Sequence, residues 1–329
     1  MIVVLALVGG GIYLLTKSSP KPKTSTAPTT APAPVSTTAP TTTAPPSTTT
    51  PPVTTNQPIW LISPGHLAAL EQGGMSSSLA TTLFNNPNTY FNFGANGAQV
   101  TESQISAQHA KFPLATMNYL FNSFGPNAKT GAAGIQGALP QGIPAGIGSI
   151  QYDPEGPANG TPIAEQQALE AGNLTYVTQA AALAHAHGLK FIFSPSIDVG
   201  MTKGEGGYPA KYATYLAQHR GAWAGVAGIN IFCIQSQQAE GTPLFTSFVN
   251  SAVAQARAAA PTVAIVIGIG INPSTPATPI TSQDLLAGQA VGRAANVAGY
   301  WNNVETNVGA NVPASVYVTF FQDLENAGS

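Results

Sequence analysis

Ser149-Ile150-Gln151-Tyr152-Asp153-Pro154-Glu155-Gly156 carries an apolar strand pattern into two carboxylates two residues apart, then stops at Pro and Gly. Side chains at i and i+2 share one face of a strand, so the spacing aims Asp153 and Glu155 the same way, a geometry suited to acid/base work. Downstream, four more apolar runs end in polar or aromatic residues: Phe191 to Pro195, Gly228 to Gln235, Val263 to Ile269 and Val297 to Trp301. Helical stretches separate them. Before the first of these runs, Leu174, Val177, Ala181 and Ala184 recur at threes and fours, as one buried helical face requires. Strand alternating with helix predicts a parallel sheet, and polar residues gathered at strand C-terminal ends are where a (β/α)8 barrel builds its site.

Upstream the same alternation continues. Ile59 to Ser63 reads as a first strand and Leu67 to Gln72 as a helix, with Tyr90 to Phe93 a second strand. Met117 to Phe121 reads equally as strand or helix, and the Gly, Pro and Ala stretch up to Gly146 as a long loop. A helix is expected within Thr161 to His187, with Thr161 as its cap, and another within Tyr208 to Trp223. With Tyr152 ending strand four, the later runs become strands five to eight. Their polar ends are then Ser194, Ser196 and Asp198; Gln235, Gln237 and Glu240; Asn272; and Trp301, Asn302 and Asn303. A doubly wound sheet would want a glycine-rich phosphate turn after its first strand, and Ser63-Pro64-Gly65-His66 is not one.

Composition divides the chain in three. Ile2 to Leu15 is an apolar run broken only by glycines and followed by Lys17, Lys21 and Lys23. It is too short for an ordinary membrane span of about 20 residues but matches the core of an export signal, so residues 1–16 are read as a signal peptide or a retained anchor. From Thr24 to Thr55 the chain holds only Thr, Ser, Pro, Ala and Val, which cannot bury a core, so 17–58 is read as a disordered linker. Both features place the remainder outside the cytoplasm, secreted or held at the outer face of the membrane.

Residues 59–329 suit a single barrel of roughly 250 residues. Of the 11 Lys and Arg in the chain, three precede residue 59, leaving eight against all 13 Asp and Glu. With that acidic balance and no basic cluster, nucleic acid is a poor partner and a neutral ligand a better one. Cys233 is the only cysteine, so no intrachain disulfide can form, and its setting in Ile231-Phe232-Cys233-Ile234 predicts a buried strand position. His185 and His187 are two apart on a helix and cannot share a metal. They precede Gly188, which supplies a helix C-terminal cap. No metal or cofactor is expected, and a monomer is.

Three stretches together resemble a group of secreted, mainly actinobacterial, (β/α)8-barrel proteins that carries no established activity. They are Tyr152-Asp153-Pro154-Glu155-Gly156 with Thr161-Pro162 and Glu165-Gln166; Leu183 to Lys190; and Gly299-Tyr300-Trp301-Asn302. Among characterised families, Asp153-x-Glu155 on the fourth strand and Trp301 at the eighth are similar to chitinase-type glycoside hydrolases. That resemblance implies Glu155 as general acid, Asp153 orienting an acetamido nucleophile, and Trp301 as the floor of a sugar subsite. It breaks at Gln151, where a chitinase-type motif has a further Asp, and at Pro154 between the carboxylates.

A two-carboxylate glycosidase is the alternative chemistry. It would need a partner about 5 to 5.5 Å from the acid if retaining, or about 6.5 to 9.5 Å if inverting. Strand seven offers no carboxylate, which leaves Asp198 and Glu240. The expected catalytic pair is therefore Glu155 and Asp153, with Tyr152, Asp198, Gln235, Gln237, Glu240, Asn272, Trp301 and Asn302 contacting a carbohydrate or cell-wall glycan. A non-catalytic glycan-binding barrel, with the proton relay lost at Gln151, is the second reading.

Overall fold

A computed structural model describes residues 57–94, 100–199, 207–270, 280–304 and 312–327. The expectations for residues 1–56, and for Asn272, lie outside the described residues. Among the described residues no helix is long and apolar enough to cross a membrane.

Eight strands close into a barrel in sequence order, every neighbouring pair parallel. They are β1 (Ile59–Ile62), β2 (Thr89–Gly94), β3 (Thr116–Phe121), β4 (Ile147–Tyr152), β5 (Lys190–Phe193), β6 (Ile231–Ile234), β7 (Ala264–Ile269) and β8 (Gly299–Asn302). Helices fill the connections: α1 (Pro64–Gln72) and α2 (Ser77–Phe84), α3 (Glu102–Lys111), α4 (Ile135–Gln141), and α5 (Ile163–Glu170) with α6 (Thr175–Ala186). The second half has α7 (Tyr208–Ala217), α8 (Leu244–Ala259), α9 (Ser282–Ala294) and α10 (Ala314–Asn326).

The ambiguous run after Lys111 is strand β3, and α4 interrupts the stretch expected to be all loop. The single helix expected from Thr161 to His187 is two, because Gly172 turns the chain at φ 70° between them. The face of α6 is the expected one, with Val177, Ala181 and Ala184 fully buried. Gly188 ends it at φ 71°.

Strand alternation sorts side chains into two apolar layers. Leu61, Ile192, Ile231, Cys233, Val266 and Trp301 point inward and pack on one another inside the barrel. The other phase faces the helices and forms the larger core, where Trp60 of β1 meets Phe84 of α2, Tyr300 of β8 and Phe321 of α10. This aromatic group covers the seam at which the barrel closes. Gly299 is required there, since a β-carbon would come within 2.1 Å of the Ile59 carbonyl oxygen.

Candidate functional site at the barrel mouth

The extended pairing of β4 continues past its last residue. Asp153 N–H donates to the Phe121 carbonyl at 2.8 Å, and Ser196 N–H to that of Pro154 at 3.0 Å. Alternation therefore carries through Gln151 and Asp153, and both side chains enter the barrel. Proline fits between the carboxylates because the nitrogen it removes lies where strand pairing is ending. Beyond it the loop is pinned by Thr161, whose hydroxyl accepts from Glu155 N–H at 2.8 Å and donates to the Asn122 carbonyl at 2.6 Å. Thr161 is thus a loop latch and not the helix cap expected from its position; Pro162 occupies the cap of α5.

Asp153 is buried, and its Oδ1 accepts from Ser194 Oγ at 3.1 Å and Gln235 Nε2 at 2.8 Å. Burial holds its carboxyl well above the usual carboxylate range, the charge of Glu155 adds to this, and the two hydrogen bonds oppose it. Glu155 is also raised. Burial leads, with Asp198 adding to it, while hydrogen bonds from Asn159 and Asn122 and the charge of Lys129 pull the other way. Desolvation of both acids and the charge of Glu155 acting on Asp153 favour the pair's retaining a proton. Asp198 stands at the edge of this pair, bound to Lys211 of α7, whose ammonium also lies over the Tyr208 ring.

Gln235 and Gln237 complete the mouth on the β6 side. Gln237 Nε2 lies 3.4 Å from Gln235 Oε1, while its own Oε1 is buried without a partner. That oxygen sits over Gly268, where a β-carbon would be only 2.0 Å away, so the glycine makes room for the amide. Trp301 lies inside the barrel, level with Gly268 and Leu61 on the adjoining strands and packed with Cys233. Asp153 raises the Cys233 thiol further above its burial-shifted value, which puts the carboxyl next to that same inward cluster.

Three expected contacts face elsewhere. Tyr152 and Asn302 occupy the outward phase of their strands: Tyr152 stacks on Phe193 and donates its hydroxyl to Glu165 at 2.7 Å, and Asn302 is fully buried. Glu240 lies against α9, its Oε2 accepting from Gly270 N–H and its Oε1 only 2.2 Å from where a β-carbon of Gly288 would be. Counting from strand ends cannot tell the two phases apart when the end is uncertain by one residue. Glu165, which reads as an ordinary first-turn carboxylate, is instead a clamp. It also accepts the backbone N–H of Phe124 and Gly125 at 2.9 and 2.8 Å, fixing the start of the loop after β3.

Behind Asp153 runs a row of inward polar groups that strand-end counting misses. Gln151 Nε2 donates to Ser194 Oγ at 2.8 Å, and Asn118 Nδ2 donates to Gln151 Oε1 at 3.0 Å and to Asn92 Oδ1 at 2.9 Å. Ser149 Oγ donates to Asn118 Oδ1 at 2.7 Å. Their signal in the sequence is a single polar residue within an apolar run, as in Phe91-Asn92-Phe93 and Met117-Asn118-Tyr119. Among the described residues no group of His, Cys, Asp and Glu could hold a metal ion.

No protein-family model matches the sequence, and no curated protein matches it. Solved structures are distantly similar. A chitinase from Chromobacterium violaceum ATCC 12472 is 15% identical with a TM-score of 0.47, over 80% of this chain and 99% of that one. A Schiff-base-forming fructose-1,6-bisphosphate aldolase is 12% identical with a TM-score of 0.45, over 83% of this chain and 94% of that one. Rhizobium etli pyruvate carboxylase is 10% identical with a TM-score of 0.45, and this chain spans 28% of its length. At these scores the likeness assigns no chemistry.

Proposed function

We propose that this barrel is an extracellular carbohydrate-active protein, a glycoside hydrolase in which Glu155 is the general acid and Asp153 orients substrate and stabilises charge. The observation that carries it is the pairing of buried Asp153 with half-buried Glu155, both carboxyls raised, at the C-terminal mouth of a closed barrel. A carboxyl that keeps its proton near neutrality can donate it to a leaving-group oxygen. As the bond from the anomeric carbon to that oxygen breaks, the proton held by the pair leaves with the oxygen through Glu155, and Asp153, then ionised, faces the positive charge left on the sugar. Water then adds to the anomeric carbon and returns a proton to Glu155. Gln237, with an unpartnered buried oxygen beside Gln235, offers an acceptor for a substrate hydroxyl or amide N–H.

A non-catalytic glycan-binding barrel is the second reading, and Gln151 favours it. An Asp in that place could exchange protons with Asp153, whereas Gln151 is bonded to Asn118 and Ser194, and Asp153 is tied to Ser194 and Gln235. Turnover of aryl glycosides and of chitin or peptidoglycan fragments by the full chain, beside Glu155→Gln, separates the readings. Loss of a general acid lowers turnover by roughly 10²- to 10⁴-fold. Equal turnover in both proteins would remove Glu155 from the chemistry.

A further inference from the structure

Pro154 separates the two acids, and Asn122 grips the chain on both sides of it. Asn122 directly follows β3 and is only 4% exposed. Its Nδ2 donates to the Asp153 carbonyl at 3.0 Å, and its own carbonyl accepts from Thr161 Oγ1 at 2.6 Å. Thr161 in turn receives Glu155 N–H, so the Glu155 backbone is tied back to the same residue. Asn122 also hydrogen-bonds the Glu155 carboxyl itself, as does Asn159. An amide nitrogen carries two hydrogens, which serves the Asp153 carbonyl with one and the carboxyl with the other.

Asn159 stands on an exposed turn, yet that turn is fixed. Asn159 N–H donates to the Gly156 carbonyl at 2.8 Å, and Gly160, the next residue, gives its carbonyl to Ala128 N–H at 2.7 Å. Gly160 has φ 112° and packs so closely on Asn127 that a β-carbon would come within 2.3 Å of that side chain. Asn127 holds its own turn by accepting from the backbone N–H of Lys129 and Thr130 at 2.9 and 3.0 Å. The loop after β4 is thus seated on the loop after β3, and Glu155 lies between two amides whose backbones are held.

The groups around Glu155 act on it in opposite ways. Desolvation and the charge of Asp198 keep its proton on, and Asp153 beside it is itself raised. Lys211 pairs with Asp198, Tyr208 of α7 feels both Asp198 and Glu155, and Lys129 is the cation that favours ionisation. A general acid held too firmly protonated gives up its proton slowly. Hydrogen bonds to a carboxylate are about twice as strong as those to a neutral group, so amides aimed at Glu155 gain strength as its proton leaves. Such stabilisation grows toward the transition state, which is where it accelerates a reaction. We infer that Asn122 and Asn159 are positioning residues for the acid step: their side-chain amides hold the Glu155 carboxyl in place and take up the negative charge that forms on it as its proton passes to the leaving-group oxygen. The inference rests on the reading of Glu155 as general acid and adds the residues that set its strength.

Carbon-13 NMR of the full chain labelled in its glutamate carboxyls follows the Glu155 titration directly, with the signal assigned by its loss in Glu155→Gln. Asn159→Ala, on an exposed turn, moves the midpoint up by about one pH unit, the worth of one hydrogen bond to a charged group. Asn159→Asp, of the same shape, moves it up further, because a second charge replaces the donor. On aryl glycosides and chitin fragments the alkaline limb of kcat/KM for Asn159→Ala shifts up by the same amount, and kcat falls about three- to tenfold at unchanged KM. Asn122→Ala does the same where it folds, and Asn159→Ala decides the matter where it does not. A midpoint unmoved in both Asn159 variants overturns the inference, whether or not the protein hydrolyses a glycoside. A raised midpoint with kcat and the alkaline limb unchanged overturns it too, and turnover that still depends on Glu155 would then leave the catalytic reading standing. A raised midpoint with turnover absent, or indifferent to Glu155→Gln, would instead sink the general-acid reading and the acid-step role with it.

Discussion

From β2 to β5 the barrel interior carries the polar row Asn92, Asn118, Ser149, Gln151 and Ser194 above Tyr90 and Ile192, whereas from β6 round to β1 its strands contribute the apolar Ile231, Cys233, Val266, Trp301 and Leu61. Both halves are buried equally well, yet they are held by different physics. The apolar half gains by removing surface from water and tolerates imprecision in direction. The polar half gains little net free energy from its hydrogen bonds but loses heavily if one member is missing, so it dictates a single arrangement of donors and acceptors. Asp153 sits where the halves meet, fixed by Ser194 from one side and Gln235 from the other. A carboxyl placed to a fraction of an ångström needs the directional half, and a barrel that stays folded around it needs the other.

The contrast breaks most visibly at Trp301. If the apolar half carries stability, Trp301→Ala, which deletes the largest side chain of the inward cluster, destabilises the protein by about 3 to 5 kcal/mol, as large-to-small core changes do. Denaturant unfolding followed by circular dichroism measures it. A loss below about 1 kcal/mol would mean the indole is a ligand platform that the fold does not use. The polar half should answer through a different mechanism. Asn118→Leu conserves bulk but strands Asn92 Oδ1, Gln151 Oε1 and the Ser149 hydroxyl, a cost of about 2 to 4 kcal/mol. Adding Ser149→Ala should recover part of it, since one stranded group is then gone. If Asn118→Leu proves neutral, the row is not a closed network and the contrast between the halves is lost.

How much of the molecule is legible in its sequence follows the same division. Runs such as Ile231-Phe232-Cys233-Ile234 and Ile265-Val266-Ile267 announce strands by composition alone, and the barrel follows from their number and spacing. Asp153 and Glu155 stand out because a pair of carboxylates closing an apolar strand carries a desolvation cost that a fold with no use for them would avoid. The phase of each strand end is not legible, since one residue's uncertainty turns Tyr152 and Asn302 from the mouth to the helix layer. Partnerships across the barrel are hidden as well. Glu165 meets Phe124 and Gly125 only because α5 folds back over the loop after β3, and no local pattern encodes that.

The finest test uses the residue on the boundary, where the expected change in stability is the smallest and its sign is reversed. Asp153 is raised in the folded protein by burial and by Glu155, whereas in the unfolded chain it titrates near 4. Between these values the folded state holds a proton that the unfolded state has released, so stability falls as pH rises through the window and stays lower above it. Asp153→Asn keeps an oxygen for Ser194 and Gln235 and removes the titration. The variant should therefore melt above the parent at neutral pH, with a difference that shrinks steadily toward pH 4 as the unfolded parent takes up the proton its folded state already holds. Melting curves of the two proteins at intervals from pH 4 to 8 measure this directly. A constant difference would show that Asp153 titrates alike folded and unfolded, and a variant that gains on the parent toward acid would show that Asp153 is a stabilising ion in the fold. The tension between a directional site and a stable barrel would then lie elsewhere than at this carboxyl.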